Sequence, residues 1–328
     1  MVDRSVEVLS CTVLDDYQGA ARQFADWSRI EDRLQIVVHR EHFDTEDALA
    51  RVLADSTIVV AMRERTAFTA SLFERLPRLK LLVTTGRQNA AIDLAAAQQR
   101  GVTVSATGTF TTGTAELTWA LILGWMRRIP QEWNNLRTNG RWQTSVGLDL
   151  AGKCLGVLGL GLIGAQVAAV GKAFGMQVQA WSANLTPEKC AHAGIEHAGS
   201  LDTLLATSDV ISVHLGLGER TRGLIGAAEL RRMKPSALLV NTARSPIVDE
   251  AALVVALRER WIGGAAIDVF DQEPLPAAHQ FRQLDNLLAT PHLGYVTEGT
   301  YQVYFSGVVA DIEAWLDGAP LRVLTAAP

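Results

Sequence analysis

The sequence predicts an α/β fold with two parallel-sheet domains, and three observations point to it. The chain has 328 residues, more than one ordinary hydrophobic core holds, so two domains are expected. Short runs of Val, Ile, Leu and Ala alternate with segments of helical period, as in folds built from strand–helix–strand units. Several runs are almost wholly apolar, which is typical of parallel strands covered by helices on both faces.

The first series of strands occupies the N-terminal third of the chain. Helical periodicity at Thr45–Leu53 and Thr69–Leu76 predicts two of the connecting helices. The predicted strands are Val6–Leu14, Leu34–Val38, Thr57–Met62, Leu79–Thr84 and Val102–Ser105. A long apolar helix is expected next, at Thr114–Arg128.

A second series of strands follows a segment that is rich in Trp, Asn and Gly. This segment, Ile129 to Lys153, has little periodicity and is expected to form an irregular arm or linker. The predicted strands after it are Cys154–Gly159, Gln177–Trp181, Val210–Val213, Leu238–Asn241, Ala265–Val269 and Leu287–Ala289. The final predicted helix, Tyr301–Leu316, has no strand after it, and we expect it to pack on the first domain.

Composition excludes several classes of protein. A formal net charge of -5, with 48% hydrophobic and 20% charged residues, argues against nucleic acid or an anionic membrane as a partner. The three cysteines, Cys11, Cys154 and Cys190, lie far apart and in no metal-ligand spacing, so we expect no metal site. The first ten residues lack the apolar segment of a signal peptide. We therefore expect a cytoplasmic protein.

A glycine-rich turn carries the strongest single signal. Gly159, Gly161 and Gly164 form GxGxxG directly after a predicted strand and open an apolar helix. Such glycines allow a tight turn, close approach of the backbone to a pyrophosphate, and close packing of helix on strand. The helix N-terminus presents free N–H groups to that anion. The sequence therefore predicts a dinucleotide-binding domain.

The next strand ends without the acidic residue that usually binds the adenosine ribose. Ser182 occupies that position, followed by Ala183 and Asn184, and neither Arg nor Lys is present to hold a 2′-phosphate. Ser182 and Asn184 can hydrogen-bond either form of the cofactor. Alternatively, they form only a polar loop before a helix that begins with Thr186 as N-cap and Pro187 at the first position. We expect NAD(P) and favour NADP(H).

Three further motifs place polar side chains just after predicted strands. They are "VNTARSPIVDE", "GGAAIDVFDQEP" and "ATPHLGYVTEG", which contain Arg244, Asp268, Glu273 and His292. In an open α/β sheet, ligands bind at the carboxyl ends of the strands, so these residues are expected to share one crevice. Through these motifs and "LAGKCLGVLGLGLIG", the chain closely resembles the D-isomer-specific 2-hydroxyacid dehydrogenases.

The resemblance implies a domain organisation. Residues 1–113 plus 296–328 would form a discontinuous, flavodoxin-like substrate domain, and residues 114–295 a Rossmann domain that binds the dinucleotide. The substrate is expected between them. The family includes glyoxylate and hydroxypyruvate reductases, D-lactate dehydrogenases and phosphoglycerate dehydrogenases. The expected activity is hydride transfer between a nicotinamide cofactor and a small D-2-hydroxy or 2-oxo acid.

The chemistry of ketone reduction explains the expected catalytic residues. Arg244 can bind the substrate carboxylate or carbonyl with its planar guanidinium group. His292 can donate the proton to the forming alkoxide. Glu273, paired with His292, would favour the protonated imidazolium and keep an acid available near neutral pH. Asp268 is expected near the nicotinamide or beside this pair.

The remaining expected contacts come from the motifs and the resemblance. The expected cofactor contacts are Gly159, Gly161, Leu162, Ile163, Gly164, Ser182, Asn184, His214, Thr242, Ala243, Asp268 and Thr114. The expected substrate contacts are Gly86, Arg87, Arg244 and His292. Arg63 and Arg65 are weaker candidates for a charged substrate group, and Trp119 and Tyr295 for shaping the pocket. Gly216 departs from the family pattern, which has a proline there.

Two alternatives to this function stay open from sequence alone. The same fold serves nucleotide-sensing binding proteins of the corepressor type, although the set of Arg244, Glu273 and His292 disfavours that role. Other relatives oxidise related acids such as phosphite or formate. The Trp-rich arm from Trp133 to Trp142 and the resemblance together predict a homodimer.

Overall fold

A computed structural model of the chain describes residues 8–326 and divides them into two compact units. The first unit contains the described residues up to Phe110 and from Thr297 onward, and the second is Thr111–Val296. The first two residues of the predicted strand Val6–Leu14, and the first seven of the ten residues assessed for a signal peptide, lie outside the described part. Each unit is an α/β domain with a parallel sheet, so the predicted fold class is confirmed.

The first unit has a five-stranded parallel sheet in the order β2-β1-β3-β4-β5. This is the flavodoxin-like strand order, which places the switch of direction between β1 and β3. Its strands are β1 (Leu9–Val13), β2 (Leu34–Val38), β3 (Ile58–Ala61), β4 (Leu81–Thr84) and β5 (Thr103–Ala106). Its first helices are α1 (Glu46–Leu53), α2 (Ala70–Glu74) and α3 (Leu94–Gln99).

The central strands of this sheet are buried on both faces. Every residue of β3 and β4 is buried, as expected for parallel strands between two layers of helices. The helices begin where the sequence supplies a capping side chain: Thr45 accepts from Ala48 N–H, Thr69 from Leu72 N–H and Asp93 from Ala96 N–H. Capping therefore fixes the starts of α1, α2 and α3.

The second unit has a seven-stranded parallel sheet in the order β12-β11-β10-β9-β6-β7-β8. Its first six strands in chain order follow the Rossmann arrangement, with a switch point between β6 and β9. The strands are β6 (Cys154–Leu158), β7 (Gln177–Trp181), β8 (Glu196–His197), β9 (Val210–Val213), β10 (Leu238–Asn241), β11 (Gly264–Ile267) and β12 (Leu287–Ala289). The helices are α4 (Thr112–Met126), α5 (Ile129–Arg137), α6 (Leu162–Ala173), α7 (Pro187–His192), α8 (Leu201–Thr207), α9 (Ala227–Arg232) and α10 (Glu250–Arg258).

The segment expected to be irregular contains a helix. Residues Ile129–Arg137 form α5, with Pro130 in its first turn, so the expectation was wrong for this part. The chain after α5 folds back on it because Glu132 accepts hydrogen bonds from the backbone and hydroxyl of Thr144 and from the Ser145 hydroxyl. These bonds, led by Ser145, lower the pKa of Glu132. The helix escaped prediction because it lacks a buried face.

The last helix, α11 (Glu298–Leu316), packs against β4 and β5 of the first unit, as expected. It starts three residues before the predicted helix, because Thr297 caps it by accepting from Thr300 N–H. Beyond α11 the chain pairs with the edge strand β5: Ala106 N–H donates to Arg322 O, and Leu324 N–H donates to Val104 O. Part of this exposed sheet edge is thereby covered.

No helix in the described part of the chain is long and apolar enough to cross a membrane. The cytoplasmic location expected from the sequence stays a prediction.

The buried carboxylate of Asp311 on α11 generates a prediction about stability. Arg322 Nη2 lies 2.8 Å from Asp311 Oδ1, yet burial raises the pKa of Asp311 from 3.8 to about 6. Folding therefore favours the protonated form, and its stabilising effect, complete below about pH 3.8, is lost as the pH rises to about 6. Between about pH 4.5 and 7.5, the wild type should lose about 2 kcal/mol of unfolding free energy relative to Asp311→Asn.

Urea unfolding of both proteins at several pH values measures this difference. Asp317→Asn is the control, because Asp317 is an exposed acid at the end of the same helix. A difference between wild type and Asp311→Asn that does not change with pH would contradict the prediction.

Candidate active site

The glycine-rich turn between β6 and α6 has the geometry of an anion site. Gly159 has φ +98°, and a side chain there would place Cβ 2.7 Å from the carbonyl oxygen of His214. A Cβ at Gly164 would collide with the carbonyl oxygen of Gly159. Open space lies beside Gly161, and no side chain caps α6. The turn therefore leaves the first N–H groups of α6 available to a phosphate, which fits a dinucleotide pyrophosphate.

A tight polar turn follows β7. Leu185 N–H donates to Ser182 O at 3.1 Å, and Thr186 then caps α7 by accepting from Lys189 N–H. The ring of His197 on β8 holds the turn from the next strand, with Nε2 3.2 Å from Leu185 O. Ser182 is partly exposed and Asn184 is exposed. No carboxylate lies within the turn itself.

His292 and Glu273 form a close pair. Nδ1 of His292 lies 2.6 Å from Oε2 of Glu273, and Oε1 of Glu273 accepts from Phe270 N–H at 3.0 Å. His292 has φ +55°, a left-handed conformation that is uncommon outside glycine and that clusters at functional sites. The Tyr295 ring meets the imidazole edge to face, with ring centres 5.3 Å apart. The carboxylate thus fixes one ring nitrogen and leaves Nε2 for a ligand.

Asp268 organises the segment that carries His292. Its buried carboxylate accepts hydrogen bonds from the Thr290 hydroxyl (2.6 Å), Leu293 N–H (2.7 Å) and Gly294 N–H (2.8 Å). Burial, the largest effect, raises the pKa of Asp268 although these hydrogen bonds and His292 act in the opposite direction. Both carboxylate oxygens bind protein donors, so the structure places Asp268 as a support for the histidine segment.

Arg244 follows β10 and is oriented by its own loop. Asn241, buried at the end of the strand, accepts from Ala243 N–H at 3.0 Å and donates to Arg244 O at 3.1 Å. The Arg244 guanidinium donates to Ala243 O at 2.8 Å. Its side chain is part-buried, at the same sheet edge as Asp268, which follows the adjacent strand β11. Three neighbouring strands thus bring Arg244, Asp268 and the His292 segment to one edge.

A chain of hydroxyl groups connects α4 to the same edge. The Thr242 and Thr118 hydroxyls lie 2.8 Å apart, and Thr118 donates to Thr114 O. Thr114 in turn donates to Gly294 O at 3.0 Å. Thr114, expected to contact the cofactor, is therefore bonded to the segment that carries His292.

His214 packs against the glycine turn through its backbone. Its Nε2 lies 2.8 Å from the Ser212 hydroxyl, and burial lowers its pKa to about 4. The imidazole is consequently neutral at physiological pH. Trp119, expected to shape the pocket, is instead a core residue, with Nε1 bonded to Val167 O and its ring 5.0 Å from that of Phe174.

The substrate-contact candidates of the first unit lie at the carboxyl ends of β3 and β4. Gly86 has φ +84°, donates its N–H to the Thr107 hydroxyl at 2.8 Å, and has the Arg63 guanidinium where a Cβ would stand. Arg87 is exposed, whereas Arg65 donates to Asp15 O and stacks on the Tyr17 ring. Gly86 thus makes room for Arg63, and its N–H is already bonded within the unit.

Comparison with known proteins bears on the family. The model for the NAD binding domain of the D-isomer specific 2-hydroxyacid dehydrogenases matches residues 119–294. A glyoxylate reductase from Aeropyrum pernix is 41% identical over 261 residues, which cover 74% of this chain and 78% of that protein. The chain belongs to the D-isomer-specific 2-hydroxyacid dehydrogenase family. The family expected from the motifs is confirmed.

The chain is also similar to a second relative and to a protein of known structure. A D-3-phosphoglycerate dehydrogenase from Archaeoglobus fulgidus is 36% identical over 80% of the chain, which spans about half (50%) of that protein. A protein from Ralstonia solanacearum, known from a crystal structure, is 39% identical to this chain in sequence. The two structures agree with a TM-score of 0.92, and the match covers 98% of each chain. The dehydrogenase is an oxidoreductase that moves a hydride between a nicotinamide cofactor and a 2-hydroxy or 2-oxo acid.

Several residues of this dehydrogenase site escaped the sequence analysis. Asn241 and Thr290 adjoin motif residues, but only the fold shows that they orient Arg244 and bind Asp268. Thr118 lies within an apolar helix, with no signal beyond its polarity. Among residues 8–326, no group of three or more His, Cys, Asp or Glu could hold a metal ion.

Proposed function

We propose that the dehydrogenase reduces small 2-oxo acids of the glyoxylate or hydroxypyruvate type, and oxidises the matching D-2-hydroxy acids. The observation that carries this proposal is the 2.6 Å contact between His292 and Glu273 on the sheet edge that also holds Arg244. Reduction of a 2-oxo acid requires a charged hydrogen-bond donor that binds the substrate carboxylate. It also requires an acid that is held in place by a second residue. The glyoxylate reductase relative, covered over most of its length, supports this substrate class.

In the proposed mechanism, the hydride for the carbonyl carbon would come from a nicotinamide cofactor held by the glycine turn and the neighbouring strand ends. Arg244 binds the substrate carboxylate or carbonyl oxygen and draws electron density from the reacting carbon. His292 transfers a proton from Nε2 to the carbonyl oxygen as it gains charge, and takes it back in the reverse direction. Glu273 stabilises the imidazolium through Nδ1, so its contribution is electrostatic and orienting.

The proposed cofactor contacts are the glycine turn and the strand ends around it. The turn residues Gly159 to Gly164 and the neighbouring His214 would face the pyrophosphate side. Thr242 and Ala243, in the loop of Arg244, would lie on the nicotinamide side, where Asp268 and Thr114 hold the histidine segment. Gly86 and Arg87 are proposed to face the substrate.

Substitution of His292 tests the catalytic role. His292→Ala removes the proton donor but not the glycine turn, so the rate of 2-oxo acid reduction should fall by about 10²–10⁴-fold with cofactor affinity unchanged. Loss of nicotinamide absorbance with glyoxylate, hydroxypyruvate and pyruvate measures turnover, and fluorescence titration measures cofactor binding.

His192→Ala, at an exposed histidine on α7, is the matched control and should behave as the wild type. Full turnover by His292→Ala would remove His292 from this role. If the wild type turned over none of these acids, the proposed substrate class would be wrong.

The corepressor-type function is not favoured. The relatives named above are reductases and dehydrogenases, and the chain retains the Arg, Glu and His expected of an active enzyme. Oxidation of formate or phosphite is likewise the less favoured alternative, because the glyoxylate reductase similarity extends over 74% of the chain.

We also propose a preference for NADP(H) over NAD(H). The turn after β7 has Ser182 in place of an acidic residue, so no carboxylate within it repels a 2′-phosphate. The Ser182 hydroxyl and the exposed Asn184 amide offer hydrogen-bond donors at that position.

Ser182→Asp tests the preference by restoring the missing charge. Because a carboxylate repels the 2′-phosphate but accepts from a ribose hydroxyl, KM for NADPH should rise about tenfold or more, with KM for NADH unchanged or lower. Ser200→Asp is the control: Ser200 caps α8, where Asp serves equally well. A wild-type KM for NADH far below that for NADPH would overturn the preference.

A homodimer is the proposed assembly, because the arm formed by α5 and the loop after it exposes large apolar side chains. Trp133 is 59% exposed, Trp142 77% and Val146 94%, and together with Ile129 and Leu136 they line one groove. Apolar clusters of this kind mark interaction surfaces. A second copy of the chain, using the same surface in return, would cover it.

Sedimentation of the double variant Trp133→Glu/Trp142→Glu tests the assembly. The wild type should sediment as a dimer. The double variant should sediment as a folded monomer, because a carboxylate buried in the interface would have no partner. Val255→Glu, on the outer face of α10, should leave the dimer intact. A monomeric wild type at micromolar concentration would contradict the proposal.

A further inference from the structure

The position of Glu273 depends on a long connection between β11 and β12. From Asp268 to Asn286 its one regular element is a short 3-10 helix at Gln280–Gln283. Glu273 is partly exposed, and within this connection its carboxylate accepts from the nearby Phe270 N–H. The place of Glu273 against His292 therefore depends on how the connection itself is held.

A second carboxylate holds the connection from α10. Glu250 Oε2 accepts from Asp271 N–H at 3.2 Å, and Glu250 Oε1 lies 3.0 Å from His279 Nε2. One side chain thus ties two points of the connection, two residues before Glu273 and six residues after it. Because Glu250 is the first residue of α10, the positive end of the helix dipole stabilises its charge.

His279 is itself locked in orientation. Phe281 N–H donates to Nδ1 of His279 at 3.2 Å, so Nδ1 is the acceptor and the ring proton sits on Nε2, facing Glu250. The His279 ring lies 4.9 Å from that of Phe281, which packs against Phe270 in the core. Glu250 and His279 are both largely shielded, with 18% and 21% of their side chains exposed.

We propose that Glu250 and His279 are positioning residues that hold the Glu273 carboxylate against Nδ1 of His292. The effect on catalysis rests on the proposed function, whereas the contacts that hold Glu273 against His292 do not depend on it. Of the charged groups around the pair, Asp268 also faces His292 electrostatically, and Asp249 and Asp271 flank the Glu250 contact. Those three carboxylates are unchanged in every variant below.

The test uses Glu250→Gln in the full-length protein. A glutamine has one acceptor oxygen in place of two, so it cannot hold both Asp271 and His279. The Nδ1 proton of His292 that bonds to Glu273 gives a low-field NMR signal, and His292→Ala identifies that signal among those of the seven histidines. The signal should move upfield in Glu250→Gln, in the same direction as in Glu273→Gln, because the short charge-assisted hydrogen bond to the carboxylate weakens.

A double variant shows whether Glu250 acts through Glu273. If it does, adding Glu250→Gln to Glu273→Gln should produce no further shift. With a substrate, Glu250→Gln should lower kcat by about tenfold or more and leave KM for the cofactor unchanged, since small misplacements of a catalytic group are costly. Glu188→Gln, an acid in the first turn of α7, is the matched control.

His279 supplies an independent pair of variants if Glu250→Gln does not fold. His279→Gln keeps a side-chain N–H for Glu250 and should shift the His292 Nδ1 signal less than His279→Ala. An unchanged signal in Glu250→Gln, or a full extra shift in the double variant, would overturn the inference. These spectra need no turnover, so a protein inactive on every 2-oxo acid refutes the substrate proposal and leaves this test standing.

Discussion

The buried carboxylate of Asp268 is the interaction on which the rest of the site depends. Three donors from the segment Thr290–Gly294 converge on it, and the same segment holds His292 in a left-handed backbone conformation. A carboxylate can satisfy several N–H and O–H groups at once, which a neutral side chain of similar size cannot. The hydrogen bonds to Asp268 offset the strain of the His292 backbone, and they orient the imidazole ring toward Glu273.

The loops at the carboxyl ends of these strands are held in the same way. Asn241 orients the loop of Arg244, Asp268 orients the segment of His292, and Glu250 holds the connection that carries Glu273. In each case a polar group at a strand end or a helix start fixes backbone N–H groups of a loop that carries a reactive side chain. Loops carry the reactive side chains, while regular elements supply the rigidity that precise chemistry needs.

The sequence predicted the strands well because their signal is local. The strands Gln177–Trp181, Val210–Val213 and Leu238–Asn241 have the bounds that the sequence predicted. β8, only two residues long, has no run to detect, and α5 is a helix without a buried face. Its start depends on Arg128 in a left-handed conformation and its outer loop on Glu132, neither of which leaves a periodic pattern.

The sequence predicted those site residues that belong to recognisable motifs. Arg244, Glu273 and His292 follow strands in recognisable patterns, whereas Thr118 and Glu250 contribute through contacts across 124 and 29 residues of sequence. Partners that distant in sequence become visible only once the sheet order is known. Trp119 shows the opposite error, since a large aromatic near a motif proved to be core.

The discontinuity of the first unit has a consequence for how the chain acquires its structure. The second unit is one uninterrupted stretch, whereas α11 and the segment that pairs with β5 are synthesised after that unit. On a ribosome, residues up to Phe110 must wait, with one face of β4 and the edge of β5 uncovered, until the second unit has emerged. α11 and the segment after it then cover the earlier sheet, so exposure to premature aggregation is concentrated in the part of the nascent chain up to Phe110.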